Sequence, residues 1–328
     1  LVYSAVLVAF TAGTILLCIS CREKEATSVS SEVVTPDDGA AGVQLIVLGT
    51  IQDAGSPQLG CDKECCLPLY LKPDPGRQVV SLGVIDQKDR KSFLFEATPD
   101  ITAQLNALRG FTSYKGPAMP SGIFLTHAHV GHYTGLMYLG REAADARELP
   151  VYAMPRMRVF LEENKPWEQL VSSRNIVLQG LENQSEIMLT PRFRVRPVLV
   201  PHRDEYSETV GYVLMGPEKK ALFIPDIDKW EHWDRNIVTE LAKVDYAFID
   251  ATFYDANELP GRDMSLIPHP FVQESMALFR EIPASEKAKI YFIHFNHTNP
   301  LLNPESEESQ QLLSEGFKIA GVHDVFNL

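Results

Sequence analysis

Three histidines, His127, His129 and His132, fall within the stretch IFLTHAHVGHYTGL at residues 123–136. In extended backbone, residues two apart point to the same side, so His127 and His129 face one cavity together. After a turn at Gly131, His132 can reach that cavity from another direction. One imidazole is an ordinary core or surface group. Three in an H-x-H-x-x-H pattern at a strand end are hard to explain by packing, because a buried imidazole needs a polar partner. A divalent cation is the economical partner, since neutral imidazole is the commonest nitrogen ligand of zinc.

Other candidate ligands recur at comparable places. Apolar runs reading as strands end at or just before His202 (RFRVRPVLV), Asp226 (ALFIP), Asp250 (YAFID) and His294 (IYFIH), as GIFLT does before the histidine cluster. Loops at one rim of a sheet are where α/β folds place their sites. The rest of the chain must hold that rim. VQLIVLGT (43–50) reads as a buried strand, and 79–86 and 91–97 as a hairpin about the turn at 87–90. Thr98 and Pro99 suit the cap and first position of a helix. Helices are expected over 133–147, 155–164, 228–244 and 271–282. Strands cluster in the first half and alternate with helices in the second, which implies a mixed α/β fold of two sheets with helices outside.

Trp230, Trp233, Ile237 and Leu241 are spaced as an apolar helix face and read as core. His232, His269 and His323 have no ligand context and default to surface or loop. The Pro-rich loop 262–270 can overhang the rim as a lid.

A chain of 328 residues with 45% hydrophobic content supports a sizeable core. A net charge of −13 argues against a phosphate-backbone binder, so no nucleic-acid partner is expected. Residues 1–21 are apolar and end in CISC, which reads as an export signal with Cys21 as a lipid-bearing residue, or else as a membrane anchor. Residues 22–42 read as a flexible tether and 43–328 as the folded domain, exported and held at a membrane. Beyond Cys18 and Cys21, the cysteines form one cluster, Cys61, Cys65 and Cys66, poorly spaced for a disulfide framework.

LGTIQDAGSPQLGC, THAHVGHYTGL, PDID and HFNHTNP, in that order, resemble the metallo-β-lactamase-fold superfamily. They are most similar to its branch holding the pyrroloquinoline-quinone biosynthesis B protein and the cyclic phosphodiesterase of phosphonate utilisation. The match runs from residue 44 to about 300. DATF (250–253) also resembles a segment of ribonuclease Z. The resemblance implies an αββα sandwich with metals at the rim between its sheets. It implies one ion on His127, His129 and His202, and a second on His132 and His294, with Asp226 bridging both. The family motif adds an aspartate just before the third histidine, where this chain has Gly131. The second ion is therefore expected to be weaker or differently selective. One or two divalent ions are expected, zinc first, with manganese or iron as alternatives. The resemblance further implies a structural zinc on Cys61, Cys65, Cys66 and His297, with unpaired or oxidised thiols as the rival. Without that zinc, His297 is free to act as an acid in the active site.

The expected function is that of an exported metal-dependent hydrolase of a phosphodiester or other small ester. Metal-activated water would be the nucleophile, Asp226 would orient the ions, and Asp250 would handle protons or serve structurally. His132, His294 and Asp226 also form a two-His-one-carboxylate set, a ligand signature of non-haem iron. The quinone-biosynthesis relative is associated with tyrosine hydroxylation, so an iron-dependent oxygenase is the alternative. A non-catalytic binding protein on the same scaffold is the third.

Overall fold

The computed structural model describes residues 42–328. The export-signal and tether segments, up to residue 41, lie outside the described residues. Among the described residues no helix is long and apolar enough to cross a membrane.

In strand β1 (Val43–Gly49) successive side chains serve two different cores. Leu45 and Val47 point between two sheets, while Ile46 and Leu48 point into a helical layer outside. That is why the run is apolar almost throughout: a strand covered on both faces shows no polar alternation.

The first sheet contains β1, β2 (Ser81–Asp86), β3 (Lys91–Phe95), β4 (Gly122–Phe124), β5 (Leu149–Ala153) and β6 (Ile176–Gly180). The second contains β7 (Ile187–Thr190), β8 (Phe193–Leu199), β9 (Val210–Met215), β10 (Lys220–Ile224), β11 (Tyr246–Asp250), β12 (Ile290–Ile293) and β13 (Lys318–Ile319). The terminal strand β14 (Val325–Asn327) returns to the first sheet beside β1. The strand orders are β14-β1-β2-β3-β4-β5-β6 and β13-β12-β11-β10-β9-β8-β7. Each sheet is antiparallel in one half and parallel in the other. The expected hairpin is present, with Asp86 paired to Lys91.

Leu82, Phe95 and Phe124 meet Tyr212, Phe223 and Phe248 in the core between the sheets. Helices cover both outer faces, with Ile101, Leu136 and Leu161 packed on the first sheet and Trp230, Leu241, Met276 and Leu312 on the second. The result is the αββα sandwich, and the tryptophans are core as expected.

Three helices differ from the sequence expectation. The segment 133–147 is a short helix, Val130–Tyr133, then a 3-10 stretch, Thr134–Leu139, followed by turns. Gly135 explains the distortion: an added Cβ would lie 2.0 Å from the Thr98 carbonyl oxygen, so this turn is pressed against the chain leaving β3. The segment 228–244 breaks into Trp230–His232 and Ile237–Leu241. Asn236 restarts the helix, its side chain accepting from the Thr239 amide. The indoles are also tied to different neighbours, Trp230 to Ser275 and Trp233 to the Leu199 carbonyl. The helix after β3 runs Ile101–Gly110 with Asp100, not Thr98, at its cap position. Thr98 instead accepts from the Asp100 amide.

Strands β1, β3, β4, β8, β10, β11 and β12 end on one rim. Within each sheet the pairing makes those strands run the same way. Asp53, Glu96, His127, His202, Asp226, Asp250 and His294 all lie at or beyond those ends.

Candidate metal centre

Five imidazoles form a continuous cluster at this rim. Ring centroids are 4.2 Å apart for His127 and His132, 5.4 Å for His132 and His294, 5.4 Å for His127 and His202, and 4.9 Å for His129 and His202. Asp226 projects into them. Its Oδ2 is 3.2 Å from Nε2 of His127 and of His202, 3.8 Å from Nδ1 of His129 and 3.9 Å from Nε2 of His132. One ligand atom each from His127, His129, His202 and Asp226 lie mutually within 4.8 Å, a spacing a single cation can span.

The outer nitrogens show why the rings are set this way. The Thr126 hydroxyl donates to Glu96 Oε1 at 2.5 Å and is 2.8 Å from His127 Nδ1. A hydroxyl that donates to a carboxylate is left to accept from the imidazole, so His127 carries its proton on Nδ1 and presents a bare Nε2. The same relay recurs in the second sheet. The Thr252 hydroxyl donates to Asp250 Oδ1 at 2.6 Å and is 2.8 Å from His294 Nδ1. His202 Nδ1 contacts Asp228 at 3.1 Å, and His132 Nδ1 contacts Glu96 at 3.2 Å. Such outer contacts fix the tautomer and orientation of metal-binding imidazoles.

The residues fit a divalent cation on this structure's own terms. The Nε2 atoms of His132, His202 and His294 are buried without a hydrogen-bond partner. Burial and the neighbouring His132 hold His127 well below the usual imidazole range, despite Asp226. Asp226 is held well below the carboxylate range: burial opposes ionisation, but the His202 and His269 charges and the His127 and His129 contacts outweigh it. Two site residues, Glu96 and His294, adopt φ of 80° and 71°, which side-chain-bearing residues rarely do. Each is held at a cost of about 1–3 kcal/mol by the packing around it.

His269 corrects the sequence expectation. It is buried, not on the surface. Its Nδ1 is 2.8 Å from Asp250 Oδ2 and 3.1 Å from Asp226 Oδ1. Burial alone would lower its pKa, but these two carboxylates raise it well above the ordinary range. The loop 262–270 that carries it thus reaches into the site. Asp250 is fully buried and accepts from the Ile227 and Thr252 amides as well as from His269. Against the cost of burial, the His269 charge and its hydrogen bond pull the Asp250 carboxyl down to about 2. Asp250 therefore sits one residue layer behind the imidazoles. Glu96 was also missed, although it follows an apolar strand as Asp226 does. His232 and His323 lie outside the cluster.

The cysteines are brought together with His297. Sγ of Cys65 is 3.9 Å from Sγ of both Cys61 and Cys66, and His297 Nδ1 is 3.4 Å from Cys65 and 3.3 Å from Cys66. A disulfide needs about 2.0 Å between sulfurs. A tetrahedral zinc with bonds of about 2.3 Å spaces its sulfurs about 3.8 Å apart. Without a cation, burial and then Cys66 and Cys61 push the Cys65 thiol up to about 12. His297 faces this cluster.

Residues 91–295 match the family model described as the Beta-lactamase superfamily domain. The chain belongs to this superfamily. Its members similar to this chain include the Coenzyme PQQ synthesis protein B of Nitrosococcus oceani, 25% identical over 308 residues, which cover 84% of this chain and 96% of that one. The Klebsiella pneumoniae protein of the same name is 25% identical over 310 residues, covering 84% and 94%. Among solved structures of the superfamily fold, Zn(2+)-bound PqqB from Methylobacterium extorquens aligns with a TM-score of 0.71 at 21% identity, over 87% of this chain and all of that one. A diphosphatase of the PhnP family aligns with a TM-score of 0.58 at 22% identity, over 87% and 97%. The metallo-β-lactamase fold and the resemblance to PqqB carried by the motifs are thus shown.

Proposed function

We propose that the protein is a metal-dependent enzyme of the PqqB type, acting at the imidazole rim as an iron-dependent oxygenase or hydroxylase. The observation that carries this is the pair His132 and His294, whose Nε2 atoms are fully buried and unpartnered, with His132 Nε2 3.9 Å from Asp226 Oδ2. Two imidazoles and a carboxylate with open positions suit non-haem iron. Similarity to Coenzyme PQQ synthesis proteins over 84% of this chain supports the same direction.

His127, His129, His202 and Asp226 would hold one cation, and His132 and His294 a second. A bound cation supplies Lewis acidity or, as iron, oxygen chemistry. The protein's own groups do the rest. Glu96–Thr126 and Asp250–Thr252 hold the His127 and His294 rings with their Nε2 atoms bare. His269 holds a proton at Nδ1 beside Asp226 and can deliver it to the reacting centre, with Asp250 positioning it. Arg203 and Tyr206 border a cavity of about 500 Å³ that reaches His129, so an anionic or aromatic small molecule suits its mouth. Cys61, Cys65, Cys66 and His297 would hold a structural zinc.

Hydrolysis of a phosphodiester or small ester is the second reading. The complete three-histidine, one-aspartate group His127, His129, His202 and Asp226 favours it. Location outside the cytoplasmic membrane rests on residues 1–21 alone.

The test is to load the protein anaerobically with iron, add a tyrosine-containing peptide and follow oxygen uptake. Bis(p-nitrophenyl) phosphate turnover with zinc or manganese is measured in parallel. Oxygen uptake that requires iron and peptide supports the oxygenase. Phosphodiester turnover without oxygen uptake replaces it with the hydrolase.

A further inference from the structure

The family motif has an aspartate where this chain has Gly131, so that motif supplies no carboxylate to the second cation position here. The structure assigns that role to Asp53, which reaches the same point from a different part of the chain. A Cβ added to Gly131 would lie 1.9 Å from Asp53 Cβ and 2.3 Å from its Cα. The Asp53 side chain therefore leaves its backbone from the space that a residue-131 side chain would need. Only one of the two positions can carry a side chain, and glycine at 131 is what admits Asp53.

The carboxylate arrives at the right partners. One oxygen of Asp53 and one nitrogen each of His132 and His294 lie within 4.8 Å of one another. Both Nε2 atoms are buried and unpartnered, while His294 Nδ1 contacts the Thr252 hydroxyl and His132 Nδ1 lies 3.2 Å from Glu96. The loop is fixed to the site by backbone as well. The Gln52 amide donates to the Phe295 carbonyl and the Phe295 amide to the Thr50 carbonyl, each at 2.8 Å. Asp53 is thus tied to the segment that carries His294. The Gln52 side chain contacts one Asp53 oxygen.

With Asp53 the rim holds a second carboxylate beside Asp226. The charge deficit expected from Gly131 is removed, and two cations can be held, one on His127, His129, His202 and Asp226, the other on Asp53, His132 and His294. This inference rests on the proposal that the rim binds metal, and it names the ligand specific to this chain.

The experiment uses zinc alone as probe. Wild type, Asp53→Asn, Gly131→Ala and His127→Ala are saturated with zinc, passed through a desalting column and analysed for metal. Affinities follow from competition with a chromophoric chelator, and circular dichroism and melting confirm folding. Asp53→Asn keeps the side-chain shape and loses the charge. The expected result is one ion fewer, or that ion weakened by more than about tenfold, with the first ion retained. Gly131→Ala, whose methyl group displaces Asp53, should lose the same ion, whereas His127→Ala should lose the other. Asp53→Asn with wild-type metal content and affinity overturns the inference while leaving the rim reading intact. So does a wild type that takes, beyond the cysteine-cluster zinc, only the ion lost in His127→Ala. A wild type with no zinc at the rim overturns both.

Discussion

His269 Nδ1 stands 3.1 Å from Oδ1 of Asp226, the oxygen that the His127 and His202 imidazoles leave free. A protonated imidazole is thereby held beside the carboxylate at the middle of the cluster, and Asp250 secures it from behind. If His269 handles a proton in turnover, His269→Ala should lower kcat by about 10²–10³-fold, the usual worth of a positioned acid or base. KM and metal content should change little. Steady-state kinetics together with elemental analysis decide; unchanged kcat removes the role.

The two hydroxyl relays should matter for metal affinity rather than for metal count. Thr126→Val keeps the shape but deletes the contact between Glu96 and His127, and Thr252→Val does the same for Asp250 and His294. Each should weaken the ion at its own imidazole by about 10–100-fold. Each should also cost about 1–3 kcal/mol of stability, because a buried carboxylate loses a donor. Chelator competition and thermal melts read the two effects separately. Wild-type affinity in both variants contradicts the relay.

At the cysteine cluster, Cys66→Ser should lose one zinc and melt lower. Zinc present at a thousandfold its Kd contributes about 4 kcal/mol to the folded state, and that contribution is absent in the variant. A strong chelator should lower wild-type Tm and leave Cys66→Ser nearly unmoved. Equal chelator sensitivity of the two proteins excludes a zinc there.

Away from the rim, Asp86 ends β2 buried against the Thr190 hydroxyl and the Arg192 guanidinium. Burial opposes its ionisation, but Thr190, the Asp89 amide and Arg192 outweigh that and hold its carboxyl below the usual range. A carboxylate with a depressed folded pKa stabilises fully above its unfolded value of about 3.9. That stability is lost as pH falls through the folded value. Asp86→Asn should therefore cost about 3–5 kcal/mol at pH 7, with the gap to wild type narrowing as pH falls below the unfolded value of about 3.9. Urea titrations of both proteins across that range measure the gap, and a gap that does not vary with pH contradicts the assignment.

Most of the rim was legible in the sequence, and for one reason. His127, His202, Asp226, Asp250 and His294 each follow an apolar run, and a ligand at a strand end is visible as a polar residue closing that run. Glu96 carries the same signal, but its strand is also half of a hairpin, and that pattern alone accounts for the apolar run. Asp53 carries no such signal: it sits in a loop more than seventy residues before the histidines, and only a close approach in three dimensions connects it to Gly131. His269 sits among prolines with no spacing to any other ligand, although the expectation that 262–270 overhangs the rim had placed its loop. The helices over 133–147 and 228–244 failed where tertiary contacts override local propensity, at Gly135 against Thr98 and at the separately anchored indoles.

The central claim, that the clustered imidazoles and Asp226 grip a divalent cation, is tested most directly by metal content. Protein purified without added metal is analysed beside His127→Ala and Cys66→Ser variants of confirmed fold. The account predicts that wild type carries divalent metal beyond what Cys66→Ser loses, and that His127→Ala lacks part of that remainder. Identical metal content in wild type and His127→Ala, with the cysteine cluster accounting for all of it, would contradict the account.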